Sequence, residues 1–440
     1  MTYSVNELGG ELFGELALDK KGQYFVAFSG GVDSTVLLHL MRELRDEHGF
    51  ELIALHVSHN LQPQSRHWSR HCMNVCSAWD IPYRHTSLSL DSDSELAARS
   101  ARYQWFGEQM TQGSVLLTAH HEQDRAETFL FNMMRGAGST GLSSLRPLRR
   151  FNDGLLVRPL LNVSQDTIVA YARDKGLSWV EDPSNHLTHY SRNKIRHDVL
   201  PSLLTFRDDA IRNIARAASN LEQENDLLRE VAIADLVDVR EHPIHPIDQS
   251  YALCYDDIQH LSLARQANLL RFWLRSLDLH MPSKRFLEQI LSAIKSPPAS
   301  TAVLQESGTQ FRFYQGFMYV MPASLKMQSF SSIDWQNVDQ PLALFQNKIR
   351  IDSTLKLREL VSSQHEASVR LAAKPQVANP KALQGHSLNL KKWLQEIGIP
   401  PWRRQALPLL TMSGSGNDVV LGPVDQQLHN DWVLLECPIP

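Results

Sequence analysis

Short apolar runs alternate with stretches of helical periodicity through roughly residues 20–200. Tyr24–Phe28, Leu52–Val57 and Val115–Ala119 read as strands, and Thr35–Glu47, Arg66–Trp79 and Glu95–Gln109 as helices. Strands alternating with helices of this length imply βαβ units, hence an α/β, doubly wound, Rossmann-like fold with a mostly parallel sheet covered on both faces. From Ile211 the apolar positions Ile214, Ala218, Leu221, Leu228 and Val231 recur at helical spacing and predict a long connecting helix. Ser250 to Met321 reads as helical and then hairpin-like, with two β-rich runs around Gln315-Gly316. Ser368 to Trp432 mixes strand-like pieces with one helix, Leu388–Glu396, which Gly398, Pro400 and Pro401 bring to an end. The expected organisation is a catalytic domain over 1–210 followed by two smaller C-terminal domains. The first, over 211–330, holds the long helix; the second spans 331–440.

Composition adds limits rather than function. A chain of 440 residues exceeds what one core serves. Its 42% hydrophobic and 21% charged residues are those of a soluble globular protein. The start MTYSVNELGGELFGEL has no basic segment ahead of an apolar run, and no stretch reaches the ~18 apolar residues of a membrane span. Cys72, Cys76, Cys254 and Cys437 are too scattered for a disulfide framework, so a reducing cytoplasm is expected. A net charge of −4 argues against indiscriminate coating of nucleic acid, yet leaves room for a local basic surface.

The chemistry starts at Ser29-Gly30-Gly31-Val32-Asp33-Ser34, between a predicted strand and a predicted helix. Two glycines permit a sharp turn and close approach of backbone to ligand, and the following helix N-terminus aims amides at one spot, which suits phosphate. Ser29 and Ser34 can add hydroxyl donors, and Asp33 can hold magnesium on the phosphates. An ordinary βα turn is the plainer reading. No GxxxxGK followed by Ser or Thr occurs, so a Walker-type NTPase is not supported.

This segment resembles the pyrophosphate loop of the N-type ATP pyrophosphatases, which adenylate a substrate oxygen, release pyrophosphate and let a nucleophile displace AMP. Further segments are similar to the lysidine synthases within that family: His56-Val57-Ser58-His59-Asn60, the Glu95/Ala97-Ala98-Arg99/Arg102-Tyr103 helix, and His120-His121-Glu122-Gln123-Asp124-Arg125-Ala126-Glu127-Thr128. The similarity continues through Arg135–Leu142, Arg158–Leu161, Glu181–Asn185, Arg192–Arg196, Lys391-Lys392 and the turn Pro400-Pro401-Trp402-Arg403-Arg404. The usual pattern carries a second acid beside Asp124 and then a glutamine; here Gln123 and Arg125 stand instead.

The resemblance implies an adenine nucleotide α-hydrolase-like fold and a C–N ligase. Such an enzyme activates C2 of the wobble cytidine of a tRNA(Ile) with a CAU anticodon, attaches free L-lysine, and shifts codon reading from AUG to AUA. ATP is its substrate and Mg2+ its cofactor. Ser29 to Ser34 and His56 would bind ATP, with Asp33 on magnesium; Arg99, Asp33, Asp124 and Glu127 would be catalytic, Asp124 toward magnesium or lysine. Arg192, Lys194, Arg196, Lys391, Lys392, Arg403 and Arg404 would meet tRNA. Each has a plainer reading: His56 as a loop histidine, Arg99 as the i,i+4 partner of Glu95, Asp124 and Glu127 as acids at a helix N-terminus, and the basic residues as solvated faces. A homodimer stays open, as do tRNA thiolation by the same adenylation and a non-catalytic tRNA-binding protein. No CxxC exists to carry sulfur, and intact Ser29–Ser34 with Asp124 and Glu127 speaks against loss of catalysis. His67, His71, Cys72 and Cys76 do not read as a zinc site, because the two pairs are offset by about 100° around a helix.

Overall fold

The computed structural model describes residues 3–58, 65–88, 95–143, 145–181, 191–242, 249–324, 333–335, 342–344, 349–351, 368–373, 390–396, 398–404, 408–414, 417–427 and 431–434. Contacts divide the chain into two compact units, Met1–Leu227 and Leu228–Pro440.

In the first unit a short capped helix α1 (Val5–Gly9) precedes β1 (Gln23–Ala27), α2 (Val32–His48), β2 (Glu51–Ser58), α3 (Ser65–Ala78), β3 (Tyr83–Ser87) and α4 (Glu95–Gln109). β4 (Val115–Leu117) then leads into α5 (Glu122–Met134) and the single turn α6 (Ser139–Leu142). The hairpin β5 (Leu148–Phe151) and β6 (Gly154–Val157) follows, then α7 (Gln165–Asp174), α8 (Ser191–Lys194), α9 (Leu200–Phe206) and the long α10 (Ala210–Leu236).

The sheet runs β3-β2-β1-β4-β6-β5 and is parallel except for the β5–β6 hairpin. Tyr24, Phe25 and Val26 are all fully buried, as a strand covered on both faces requires. Their side chains alternate between two cores. Tyr24 and Val26 pack with Leu37, Leu40 and Met41 of α2, whereas Phe25 packs with Ile53, Leu116, Leu156 and Phe106. The chain leaves β1 toward β2 and β3, then returns to β4 on the other side of β1. The crevice beyond the carboxyl ends of β1 and β4 is therefore the topological switch point, where such sheets bind ligands.

β3 and the β5–β6 hairpin were not among the predicted strands. β3 (YRHTS) and β5 (LRRF) lie at the two sheet edges and lack an apolar run, so nothing in their pattern sets them apart from loop. The first compact unit takes in about five turns of α10. Those turns are tied by Glu222, Asn225 and Asp226 to Arg125, Ser139 and Arg146.

In the second unit β7 (Glu241–His242), β8 (Tyr251–Cys254), β9 (Leu304–Glu306), β10 (Thr309–Tyr314) and β11 (Phe317–Pro322) form an antiparallel sheet of order β7-β8-β11-β10-β9. Helices α11 (Leu263–Ser276) and α12 (Lys284–Lys295) bury Leu270, Trp273, Leu287 and Ile290 with Phe311, Phe313 and Val320. Gln315 and Gly316, with φ of 44° and 81°, make the tight β10–β11 turn, which needs positive φ at both central residues.

A seven-stranded sheet is formed by β12 (Ile333–Trp335), β13 (Leu342–Leu344), β14 (Ile349–Ile351), β15 (Ser368–Ala373), β16 (Pro408–Gly414), β17 (Asn417–Gln427) and β18 (Asp431–Leu434). The helix Leu390–Glu396 lies between β15 and β16 in the chain. No helix among the described residues is long and apolar enough to cross a membrane.

Candidate active site

Gly30 leaves β1 with φ +87°, and a Cβ there would stand 2.8 Å from Cys72 Sγ and 3.1 Å from Val180 Cγ2, so only glycine fits. Its carbonyl accepts from the Val180 amide at 2.9 Å, which pins the turn. Gly31 precedes α2 in an extended conformation and gives no side-chain cap, leaving the first-turn amides of Val32, Asp33 and Ser34 without a capping partner. An uncapped helix start beside a glycine turn is an anion site in waiting. The Ser34 hydroxyl donates to Gly31 O at 3.0 Å and accepts from the Ser29 amide at 3.2 Å. Ser34 thus shapes the loop from within, in place of the outward donor expected.

The next strand supplies the opposing wall. His121 caps α5: its amide donates to Asp124 Oδ2 at 3.1 Å and its Nδ1 accepts from the Gln123 amide at 3.3 Å. With Nδ1 an acceptor, the ring proton belongs on Nε2. That atom lies 3.6 Å from Asp124 Oδ2 and 3.9 Å from Asp33 Oδ2, so the imidazole joins the carboxylates of two loops. Burial raises the Asp33 carboxyl and Asp124 adds to this, against His121 and Arg196. Asp33 Oδ1 is buried without a partner. For Asp124, burial would raise the carboxyl, but His121, His120, Arg196 and the His121 amide together hold it below the usual range.

Glu127 is fully buried and clamped by Arg196, whose Nε donates at 2.6 Å and Nη2 at 2.9 Å; Nη2 also reaches Asp124 at 3.2 Å. Gln123 donates to Glu127 at 3.1 Å. Arg192 donates to Thr128 Oγ1. The two departures from the usual pattern therefore have defined jobs: Gln123 holds Glu127, and Arg125 reaches Asn162 at 3.2 Å and Glu222 at 2.6 Å. His120, beside this centre, is kept neutral chiefly by burial.

The other expected site residues are placed as follows. His56 is buried, bonded through Nδ1 to Phe28 O at 2.9 Å and through Nε2 to Ser69 Oγ at 3.1 Å, so both ring nitrogens serve the scaffold and neither is open to ATP. Arg196 is not an outer tRNA contact but part of the carboxylate centre. Arg403 and Arg404, in the second unit, are buried; they bond to Ser250 Oγ at 2.7 Å and to Ile399 O and Tyr314 Oη at 2.9 and 3.0 Å. Neither is exposed to RNA phosphate. Lys194, Lys391 and Lys392 are exposed, and Lys392 lies 3.7 Å from Glu396. Arg99 stacks on Tyr103. His121 was absent from the expected site residues; histidine is not among the preferred N-cap residues, so its capping of α5 shows only in the fold. His59, Asn60, Gln62 and Asp182–Asn185 lie outside the described residues. Cys72 and Cys76 are buried in the α2 core, where burial raises both thiols to about 12.

A glycine turn after the first strand, open helix amides behind it and carboxylates from the neighbouring strand define a nucleotide-binding domain of the PP-loop class. Family models agree: a PP-loop domain matches residues 3–203, a TilS substrate binding domain 253–319 and a TilS substrate C-terminal domain 368–429. The chain is 34% identical over 413 residues to the tRNA(Ile)-lysidine synthase of Serratia proteamaculans, covering 92% of each. It is 36% identical over 400 residues to that of Pseudomonas aeruginosa, covering 88% of this chain and 87% of the other. Among solved structures it is similar to the U34-tRNA thiolase NcsA of Methanococcus maripaludis, with TM-score 0.41 and 17% identity over 50% of this chain and 77% of that one. Likeness at that level carries no functional weight. The chain belongs to the tRNA(Ile)-lysidine synthase family, ligases that use ATP to make lysidine.

Proposed function

We propose that the crevice between β1 and β4 performs the whole reaction on a tRNA(Ile) with a CAU anticodon, in the cytoplasm. ATP lays its phosphates on the amides of Val32 to Ser34, the C2 oxygen of the wobble cytidine attacks the α-phosphate, and pyrophosphate leaves, so that C2 is activated as its adenylate. Free L-lysine then attacks C2 through its side-chain amine and AMP leaves. The observation that carries this reading is a charge imbalance. Asp33 and Asp124 gather around His121, and Arg196 pairs with Asp124 and Glu127, so three carboxyl groups share one guanidinium in ion-pair contact, a setting that draws cations.

Mg2+ fits that setting. Asp33 Oδ1 is a buried orphan acceptor, with Asp124 at the same His121 Nε2. That is the donor set expected for magnesium bound through one or two carboxylates and the substrate's phosphates. Asp33, with Asp124 behind it, would hold the ion, which would neutralise phosphate charge. The ammonium of lysine uses the remaining charge at Asp124 and Glu127 before it loses its proton. Arg99 faces the departing AMP.

The test is mass analysis of the isoleucine tRNA after incubation with ATP, lysine and protein, with AMP release followed in parallel. Lysine-dependent mass gain on the tRNA is expected. AMP release without it, or a gain that needs a sulfur donor, overturns the reading.

A further inference from the structure

Three guanidinium groups of the first unit converge on one aromatic ring. Arg99 of α4 lies 5.1 Å from the Tyr103 centroid; Arg149 of β5 lies 5.9 Å from the same centroid and 5.2 Å from that of Phe151. Arg158 shares a hydrogen bond with Tyr103, donates to Arg146 O at 2.6 Å and is only 3% exposed, and its Nε is buried without a partner. Burial lowers the Arg158 guanidinium from its usual value, Tyr103 opposes this, and the neighbouring Arg149 and Arg99 charges lower it further. Like charges gathered on aromatic faces attract an anion. Planar guanidiniums suit the paired oxygens of a phosphate.

The cluster points outward. Its inner members, Arg158 and Arg99, are close enough to act on His120 at the head of the α5 segment. Its outer member, Arg149, is exposed on the edge strand, two strands beyond β4. The inner end of the cluster thus lies toward the reaction centre and its outer end at the sheet edge, as a strand of RNA leaving the cleft requires. We propose that Arg149, stacked on Tyr103 and Phe151 and flanked by Arg99 and Arg158, takes a phosphodiester of the tRNA strand adjoining the reacting cytidine. This rests on the reaction proposed above.

The experiment measures tRNA(Ile) binding to full-length Arg149→Ala, Arg149→Lys and wild type across about 0.05 to 0.2 M salt. One lost phosphate contact lowers the slope of log affinity against log salt by about 0.7–0.9, equivalent to roughly five- to eightfold weaker binding near 0.1 M. Arg149→Ala should show that change. Arg149→Lys should keep the slope and lose part of the affinity, because it keeps the charge without the planar fork. A lower melting temperature with an unchanged slope in Arg149→Ala would make the stack purely structural and overturn the proposal. Should Arg149→Ala lose its native circular dichroism, Arg149→Gln carries the comparison, and an unchanged slope there is equally fatal. Wild type assayed in parallel separates the two readings: no lysidine from wild type rejects the reaction itself, whereas an active wild type with an unaltered Arg149→Ala slope rejects only this site.

Discussion

Arg125 of α5 donates to Glu222 of α10 at 2.6 Å, and Arg146 brackets the same region by donating to Asp226 at 2.7 Å. Arg125 is 2% exposed and the Glu222 side chain 14%, so the pair sits largely out of water. Burial raises the Glu222 carboxyl in spite of Arg125, and it lowers Arg125 in spite of Glu222. Desolvation therefore offsets much of the attraction. In such pairs, removing one partner strands the other and costs about 3–5 kcal/mol, while removing both costs far less. Glu222→Gln should be the more unstable variant, and Arg125→Gln/Glu222→Gln should regain at least half of the loss. Thermal unfolding of the two singles and the double decides it; simple additivity would mean the pair does not couple.

Asp33→Asn should stabilise the ligand-free protein while abolishing AMP formation. The Asp33 carboxyl is raised, first by burial and then by Asp124. A raised carboxyl penalises the native state above its unfolded pKa of about 3.9, and the penalty disappears at lower pH, where both states are protonated. The gain from Asn is thus expected near pH 7 and should vanish in acid. A gain on the order of 1 kcal/mol corresponds to about 2–4 °C in a unit of this size. Equal melting temperatures near pH 7 would remove the carboxylate strain from the argument, and surviving AMP formation would remove Asp33 from the chemistry.

The sequence announced the parts of this enzyme that are continuous in the chain. β1, α2, β2, α3, α4 and β4 read correctly because their apolar patterns are strong, and Ser29–Ser34 because its glycines fall between a strand and a helix. What stayed hidden was partnership across the fold. Arg192, Lys194 and Arg196 looked like one basic stripe, yet Arg196 turns inward to Glu127 and Lys194 is exposed. His56 looked like a loop ligand because the acceptor of its Nδ1, the Phe28 carbonyl, belongs to another strand's end. Arg125 registered only as an oddity, because its partner lies 97 positions away.

Arg196→Ala should damage both fold and activity, and Arg196→Lys should separate them. Glu127 has a side chain 1% exposed and takes two hydrogen bonds from Arg196, so Ala leaves a buried charge with only Gln123, at a cost of about 3–5 kcal/mol. Lysine restores the charge but not the bidentate geometry. Arg196→Lys is expected to fold, with a KM for lysine raised several-fold and the KM for ATP changed little. If both constants rise together, Arg196 orders the whole crevice instead of the lysine side of it.

The last prediction sets the two basic pairs of the second unit against each other. Lys391 and Lys392 are exposed on the helix Leu390–Glu396, and the Lys392–Glu396 ion pair there has side chains 74% and 55% exposed, so it holds Lys392 only weakly. Arg403 and Arg404 are 7% and 8% exposed, with guanidiniums 5.2 Å from the Tyr319 ring and 5.9 Å from the Tyr314 ring. Trp402 packs edge-on against Tyr319 at 5.2 Å, so the turn is a clasp on β10 and β11. If Lys391 and Lys392 meet tRNA phosphates, Lys391→Ala/Lys392→Ala should lower the salt slope of tRNA binding by about 1.4–1.8 and leave thermal stability nearly unchanged. Arg403→Ala/Arg404→Ala should do the reverse: a loss of several kcal/mol, since the acceptors Ser250 Oγ, Ile399 O and Tyr314 Oη lose their donors and the ring contacts go with them, with tRNA affinity falling but the slope kept. Slopes measured on both variants below their melting temperatures discriminate. A slope that falls for the arginine pair would return it to the RNA surface, and one that holds for the lysine pair would leave Lys391 and Lys392 as a solvated face.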